Sequence, residues 1–253
     1  MTATTDSGMR DRVAALMNGL GDHPVYGNEY FRILRDDPWT GPVYDVHRAN
    51  FFHRTEGTVK GIAYVCAQAA AHDDRDTLVL FSHILNEETG DGRAEHCHEV
   101  LMEQAHNHYG EVEFGLPALT VRESRDSELL IPETVEYRDR TLELLTANYH
   151  RMLGVAMALE SHADPMLRTC RTAFRNARKN LPEKAFVNTV EVYFNVHVGD
   201  EGVEERHAAD ARQCVLNNCR TDADLAEVAL GAERTLDVQL TMWSAMAKAV
   251  GAR

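Results

Sequence analysis

Apolar residues recur at three- and four-residue spacing along nearly the whole chain, and no stretch alternates strictly between turn dipeptides as a hairpin would. This periodicity predicts an all-α protein. The first helix carries Val13, Leu16, Met17 and Leu20, can be capped by Asp6 and Ser7, and ends at Gly21. Pro42 opens a long segment through His47, Phe51 and Phe52, with bends expected at Gly57 and Gly61, and Asp76 caps a helix over Thr77–Glu88. Gly90-Asp91-Gly92 interrupts the pattern before a helix from Arg93 to Tyr109, and Gly110 to Ile131 reads as a connecting stretch. After Pro132 a long helix is expected over Glu133–Glu160, then one from an Asp164-Pro165 cap to Asn180. Pro182 restarts the chain toward His197, Gly199–Gly202 is a predicted distortion, and Glu204–Asn217 continues helically. A last helix, capped by Thr221 or Asp222, runs through Trp243 to Val250.

No repeat, low-complexity run or linker divides the 253 residues, so one helical domain over residues 1–253 is the expected organisation. Charge narrows the partners. With 26 Lys+Arg against 40 Asp+Glu the formal net charge is −14, which repels phosphate backbones and anionic membrane surfaces. Nucleic acid and membranes are therefore poor partners. The longest apolar stretch, around Gly61–Ala71, carries Gln68 and is too short to span a bilayer, and the N-terminal segment has no apolar core. The five cysteines form no Cys-x-x-Cys pair, so neither a disulfide framework nor a thiolate zinc site is expected, and a reducing cytoplasm fits best.

The 13 histidines turn attention to metal chemistry. Two Glu-x-x-His units stand far apart, Glu95-His96-Cys97-His98 and Glu204-Glu205-Arg206-His207. Residues three apart share a helix face, so each unit can direct a carboxylate and an imidazole at one point. One such unit is common on a solvated helix. Two, joined by a core-facing carboxylate, form the pattern by which helical bundles hold a pair of metal ions. Glu160 supplies that carboxylate, because Leu153-Gly154-Val155-Ala156-Met157-Ala158-Leu159 precedes it and a buried carboxylate needs a cation; the rival reading is that solvent at the Ser161–Pro165 turn reaches it. His197 follows the apolar run Val190–Val196 and, taken alone, reads as a hydrogen-bonded core histidine.

The stretch Asn86-Glu87-Glu88-Thr89-Gly90-Asp91-Gly92-Arg93-Ala94-Glu95-His96-Cys97-His98, with Leu101 after it, resembles the acidic Gly-x-Gly segment ending in histidine of the haem-oxygenase-like di-iron oxidases. The resemblance implies a single-domain haem-oxygenase-like helical bundle that binds two Fe(II) ions, with Mn as the alternative metal, and no haem. Its first ligands correspond to Glu88 and His98 rather than Glu95, and its next Glu to Glu160. Tyr193-Phe194-x-x-His197 resembles the last metal-bearing helix, which in the family continues His-x-x-x-Asp-x-x-His. Here Glu201 and Glu204 stand four and seven residues after His197 instead. Either an undisturbed helix offers His197, Glu201 and Glu204, or a bulge at Gly199–Gly202, which also contains Asp200, delivers His197, Glu204 and His207. The second is preferred, because two glycines favour a break and His207 supplies the expected nitrogen. The implied ligand set is then Glu88, His98, Glu160, His197, Glu204 and His207.

What the resemblance implies about activity is dioxygen activation, with desaturation, fragmentation or N-oxygenation of small amino-acid-like or fatty-acid substrates, often in natural-product biosynthesis. Aliphatic C–H abstraction from an amino acid is the preferred expectation, with dioxygen and an external reductant as partners and the oligomeric state open, a homodimer included. The rivals are a di-iron N-oxygenase of an amine, a ferritin-like iron protein using Glu95 in place of Glu88, and a metal-free helical interaction protein. Other polar residues carry weaker signals. His96, Cys97 and His98 diverge by about 100° and cannot converge. His106 and His108 are expected at the surface, and Arg168–Lys179 as a solvated face that could offer a cation to a substrate carboxylate. His47, His53, Arg54 and Glu56 read as a solvated face with a substrate-facing role as the alternative. Phe51, Phe52, Met242 and Trp243 are expected in the core.

Overall fold

Residues 7–200 and 202–251 are described in a computed structural model, and among them every regular element is helical. In chain order the α-helices are α1 (Ser7–Gly21), α2 (Glu29–Asp36), α3 (Gly41–Thr55), α4 (Thr58–Ala71), α5 (Arg75–Glu88), α6 (His98–Phe114) and α7 (Val121–Ser124). They continue as α8 (Pro132–Leu145), α9 (Tyr149–Ala177), α10 (Glu183–Thr189), α11 (Glu191–Val198), α12 (Glu204–Asn218) and α13 (Asp222–Gly251). The expected cap at Asp6 lies outside the described residues.

Helix α9 organises the bundle. Asn148 starts it by accepting the Arg151 amide at 2.9 Å, and its 29 residues reach about 43 Å at 1.5 Å per residue. It packs against α13 along its length and also meets α12, α2, α11, α8 and α4. The stretch Met152–Ala158 is buried without a break, because neighbours enclose this part of the helix on several sides. Helices α4 and α5 pair with each other, α5 also meets α12, and α6 lies between α3 and α11. The ends of α5, α6, α11 and α12 are thereby gathered around the middle of α9.

Several expected boundaries move. Asp74, not Asp76, caps α5, accepting the Thr77 amide at 3.1 Å. The helix expected from Arg93 begins at His98 after a 3₁₀ turn over Ala94–His96, and it runs on to Phe114, ending at Gly115 with φ +68°. The helix expected over Glu133–Glu160 is two helices, broken where Asn148 can cap a new one. Pro165 does not open a helix but lies inside α9. A proline there removes one amide donor, but burial of Met166, Leu167, Cys170, Ala173 and Phe174 keeps the helix continuous past it. Helix α2 and the short α7 fall where no helix was expected, each capped locally, α2 by Asn28 and α7 by a Thr120–Glu123 capping box. All five cysteines are free thiols, and no described helix is long and apolar enough to cross a membrane.

Candidate metal centre

Five helices each present acidic or imidazole groups to one buried point. Glu88 is the last residue of α5, His98 the first of α6, Glu160 sits mid-way along α9, and His197 lies in the last turn of α11. Glu204 and His207 occupy the first turn of α12. All six are buried, from 1% exposed for His207 to 8% for His98 and Glu160.

The break between α11 and α12 makes the last three converge. Gly199 N–H donates to the Asn195 carbonyl and Gly202 N–H to the Gly199 carbonyl, closing a tight turn after His197. A Cβ on Gly202 would press into the His197 carbonyl, so only glycine permits this approach. The bulged arrangement is therefore the one found, with His197, Glu204 and His207 together. Asp200 is exposed, and Glu201 lies outside the described residues. Gly202→Ala is expected to push His197 and Glu204 apart and to weaken iron binding by about tenfold or more, read by anaerobic Fe(II) titration with helix content as the control. On the other side, Gly90, at φ +85° and crowded by the Arg93 carbonyl, folds the loop that brings Glu88 to His98.

Glu88, His98 and His197 each offer one ligand atom, all within 4.8 Å of one another, and Glu88, Glu204 and His207 do the same. Glu88 belongs to both groups. His98 Nδ1 lies 3.1 Å from Glu88 Oε1, and the His98 and His197 rings meet edge to face at 4.3 Å. His197 Nδ1 is hydrogen-bonded to Glu204 Oε1 at 2.6 Å, and Glu160 Oε2 approaches His207 Nδ1 at 3.7 Å.

Charge in this cluster is poorly balanced. Burial and the neighbouring Glu204 and Glu88 drive the Glu160 carboxyl well above the usual carboxylate range. Burial also pushes Glu88 upward, but the His98 hydrogen bond and the nearby His197 outweigh it and hold Glu88 below its ordinary value. His197 is the converse, since burial favours its neutral form while the bond to Glu204 lifts it above the usual histidine value. Glu88 sits at the C-terminal, negative end of α5 and Glu204 at the N-terminal, positive end of α12.

A divalent metal pair fits this donor set. Three carboxylates and three imidazoles, with oxygen and nitrogen donors and no thiolate, suit iron or manganese better than zinc. His197 Nε2 and His207 Nδ1 are buried without a hydrogen-bond partner, as ring nitrogens reserved for an ion would be. Glu87, given no role in the sequence reading, accepts from His207 Nε2 at 3.0 Å and is itself held by Arg206. Such a carboxylate behind an imidazole fixes the ring and its tautomer. Glu87 immediately precedes Glu88, which was its only sequence signal.

A cavity of about 700 Å³ opens from Glu88, His98, Glu160, His197 and Glu204. Phe51, Ile62, Val65, Phe81, Tyr137, Met166 and Tyr193 line it, with Arg54 and Glu56 among the polar groups. The Tyr193 ring packs edge-on to His197 at 4.9 Å. Two sequence expectations are corrected here, and the basic run keeps its expected exposed face. His47, His53 and Glu56 are buried and Arg54 half-buried, because α6, α7 and α8 cover α3; His47 Nδ1 is hydrogen-bonded to the Tyr30 hydroxyl at 2.7 Å and Glu56 to Lys60, Arg125 and Arg138. His106 is buried rather than at the surface, between the rings of Phe51 and Phe174, on a face marked by Met102, Ala105 and Tyr109. In the basic run, Arg171 and Arg175 bind Glu191 at 3.1 and 2.6 Å and do not line the cavity. Glu95 is exposed, so Glu88 rather than Glu95 joins the cluster.

A family model described as an iron-containing redox enzyme matches residues 49–240. The chain belongs to that family. A CADD-like protein of unknown function from Nostoc punctiforme PCC 73102 is similar in structure at a TM-score of 0.72 and 15% identity, covering 94% of this chain and 97% of its own. A domain of unknown function with a heme oxygenase-like fold from Shewanella denitrificans OS217 superposes at a TM-score of 0.61 and 17% identity, covering 97% and 94%. These likenesses place this iron-containing redox enzyme in the haem-oxygenase-like fold. No curated protein matches the chain.

Proposed function

We propose that the chain, as one domain over residues 1–253, is a non-haem di-iron oxidase that uses dioxygen to abstract hydrogen from an aliphatic C–H bond of a small amino-acid-like substrate. Desaturation or carbon–carbon cleavage is the expected outcome. The observation that carries this reading is the membership of Glu88 in both ligand groups, which lets one carboxylate serve two ions. Glu88, His98 and His197 would hold one ion, and Glu88, Glu204 and His207 the other, with Glu160 beside His207. Bound iron would supply the electrons and Lewis acidity that dioxygen activation requires.

The protein's own groups do the rest. Glu87 takes the outer nitrogen of His207 and so turns its Nδ1 toward the cluster. Tyr193 packs edge-on to the His197 ring, and apolar side chains of the cavity offer contact to a substrate's carbon skeleton. Burial, Glu204 and Glu88 push the Glu160 carboxyl well above its ordinary range, and a bound cation would favour its charged form.

Anaerobic Fe(II) loading followed by oxygen exposure with a panel of amino acids tests the proposal. Two iron ions per chain, substrate-dependent oxygen uptake and desaturated or shortened products by mass spectrometry are expected. N-hydroxylated products would overturn the C–H reading, and failure to take up iron would overturn the metal centre itself.

A further inference from the structure

Arg54 is a cavity-lining cation with no carboxylate partner among the described residues. It lies on the same cavity as Glu88, Glu160 and His197. Lys60, Arg125 and Arg138, the other cations along that wall, all bind Glu56. The Nε of Arg54 is buried and makes no hydrogen bond. Aromatic rings hold the guanidinium in place, its carbon lying 5.5 Å from the Trp243 ring, 5.6 Å from Tyr137 and 6.0 Å from Phe51. Ring faces satisfy a guanidinium's plane but not its N–H edge, which still requires an acceptor.

The position relates this edge to the metal centre. Arg54 and Tyr193 line one cavity, and Tyr193 packs 4.9 Å from His197. Apolar side chains, including Ile62, Val65, Ala156 and Met166, line the same cavity. A single planar guanidinium matches a monoanionic carboxylate, which it can grip by two parallel hydrogen bonds. A phosphate dianion is a poorer fit, since one cation would face it in a cavity that already holds Glu88, Glu160 and Glu204.

We propose that Arg54 anchors the carboxylate of an organic monocarboxylic acid substrate, leaving the acid's apolar carbon skeleton to lie along the cavity toward the Glu88 cluster. This deepens the functional reading above and rests on it only in taking the cavity as the substrate chamber. Arg54 binds and orients, and the chemistry stays with the metal centre.

Calorimetry on the full-length protein, metal-free and Fe(II)-loaded under argon, tests this with octanoate, 3-phenylpropionate and L-leucine as probes and 1-octanol as the neutral control. At least one acid is expected to bind the wild type. Arg54→Met should weaken that acid at least tenfold in both metal states, leave 1-octanol within twofold, and leave iron per chain unchanged. Arg54→Lys should retain intermediate affinity. In the metal-free protein labelled with 15N-arginine, the Arg54 Nε–H signal, assigned by its loss in Arg54→Met, should move on addition of the acid that binds and stay still with 1-octanol. If Arg54→Met does not fold, Arg54→Lys and that signal in the wild type decide. Absence of binding by all three acids, or equal binding by wild type and Arg54→Met, overturns the inference. Arg54-dependent binding without iron uptake would keep the anion site and sink the di-iron reading, whereas two irons with Arg54-independent binding would do the reverse.

Discussion

On the di-iron reading proposed above, Glu88→Ala is expected to reduce iron from two ions per chain to fewer than one and to abolish oxygen uptake. Most ligand substitutions at a pair of ions remove one donor from one ion. Glu88 differs, because its carboxylate lies within 4.8 Å of the donors of both groups, so its loss opens both. Loss of a group that merely orients a ligand costs about 10–100-fold in metal affinity, so removal of a ligand shared by two ions should exceed about 100-fold for each. Glu87→Ala supplies the comparison: it leaves six donors in place but frees the His207 ring, and should cost about 10–100-fold. Metal analysis after anaerobic loading and desalting reads both. Equal iron content in Glu88→Ala and wild type would remove Glu88 from the centre. Thermal unfolding on loading reads the same ranking, with the wild type gaining most, Glu87→Ala less and Glu88→Ala least.

The helical fold was legible because a 3.6-residue period repeats over long segments, and the local turn chemistry was less so. Pro165 carries a helix-start signal in sequence, yet the tertiary burial on either side of it holds α9 together. His106 shows a polar residue on a face otherwise written by Met102, Ala105 and Tyr109, where the apolar neighbours gave the better guide. In the site, Glu88, His98 and the Gly-x-Gly loop could be read as a unit because they lie within eleven consecutive residues. Glu160 could be suspected from its apolar surroundings, although the expectation of a helix end beside it was mistaken. The departure after His197 was legible because the two glycines could be weighed against a histidine found three residues after Glu204. Glu87 was not, since it acts through His207, 120 residues away; Arg54 stood in a polar cluster with a substrate-facing alternative, but its ring partner Trp243 lies 189 residues away, a pairing that a single sequence does not encode.

Glu160→Gln should move stability and metal affinity in opposite directions. In the metal-free protein the Glu160 carboxyl is driven well above its ordinary value by burial and by Glu204 and Glu88. A carboxyl raised in the folded state binds more protons folded than unfolded at pH values above its unfolded pKa, so stability falls as pH rises from about 4.5 toward the folded value. The cost accumulates at up to about 1.4 kcal/mol per pH unit over that window. His197 adds to the trend at higher pH, because its raised folded pKa gives stability that is complete below the ordinary histidine value and disappears as pH rises through the folded one. Glu88 is held low, so its contribution is lost only in acid, below the ordinary carboxylate range. The glutamine keeps the shape of a protonated Glu160 and removes the titration. Metal-free Glu160→Gln should therefore unfold at a higher temperature than wild type at pH 7–8, by about 2–4 °C per kcal/mol recovered, and should match wild type near pH 4.5. Metal reverses the order. A bound ion displaces the Glu160 proton and uses the charge, so wild-type iron affinity should rise with pH while Glu160→Gln binds more weakly with a shallower pH dependence. Thermal unfolding from pH 4.5 to 8, with and without Fe(II), reads all four curves. A metal-free variant less stable than wild type across that range would show that the Glu160 charge is already compensated within the chain, and that no ion is needed to explain it.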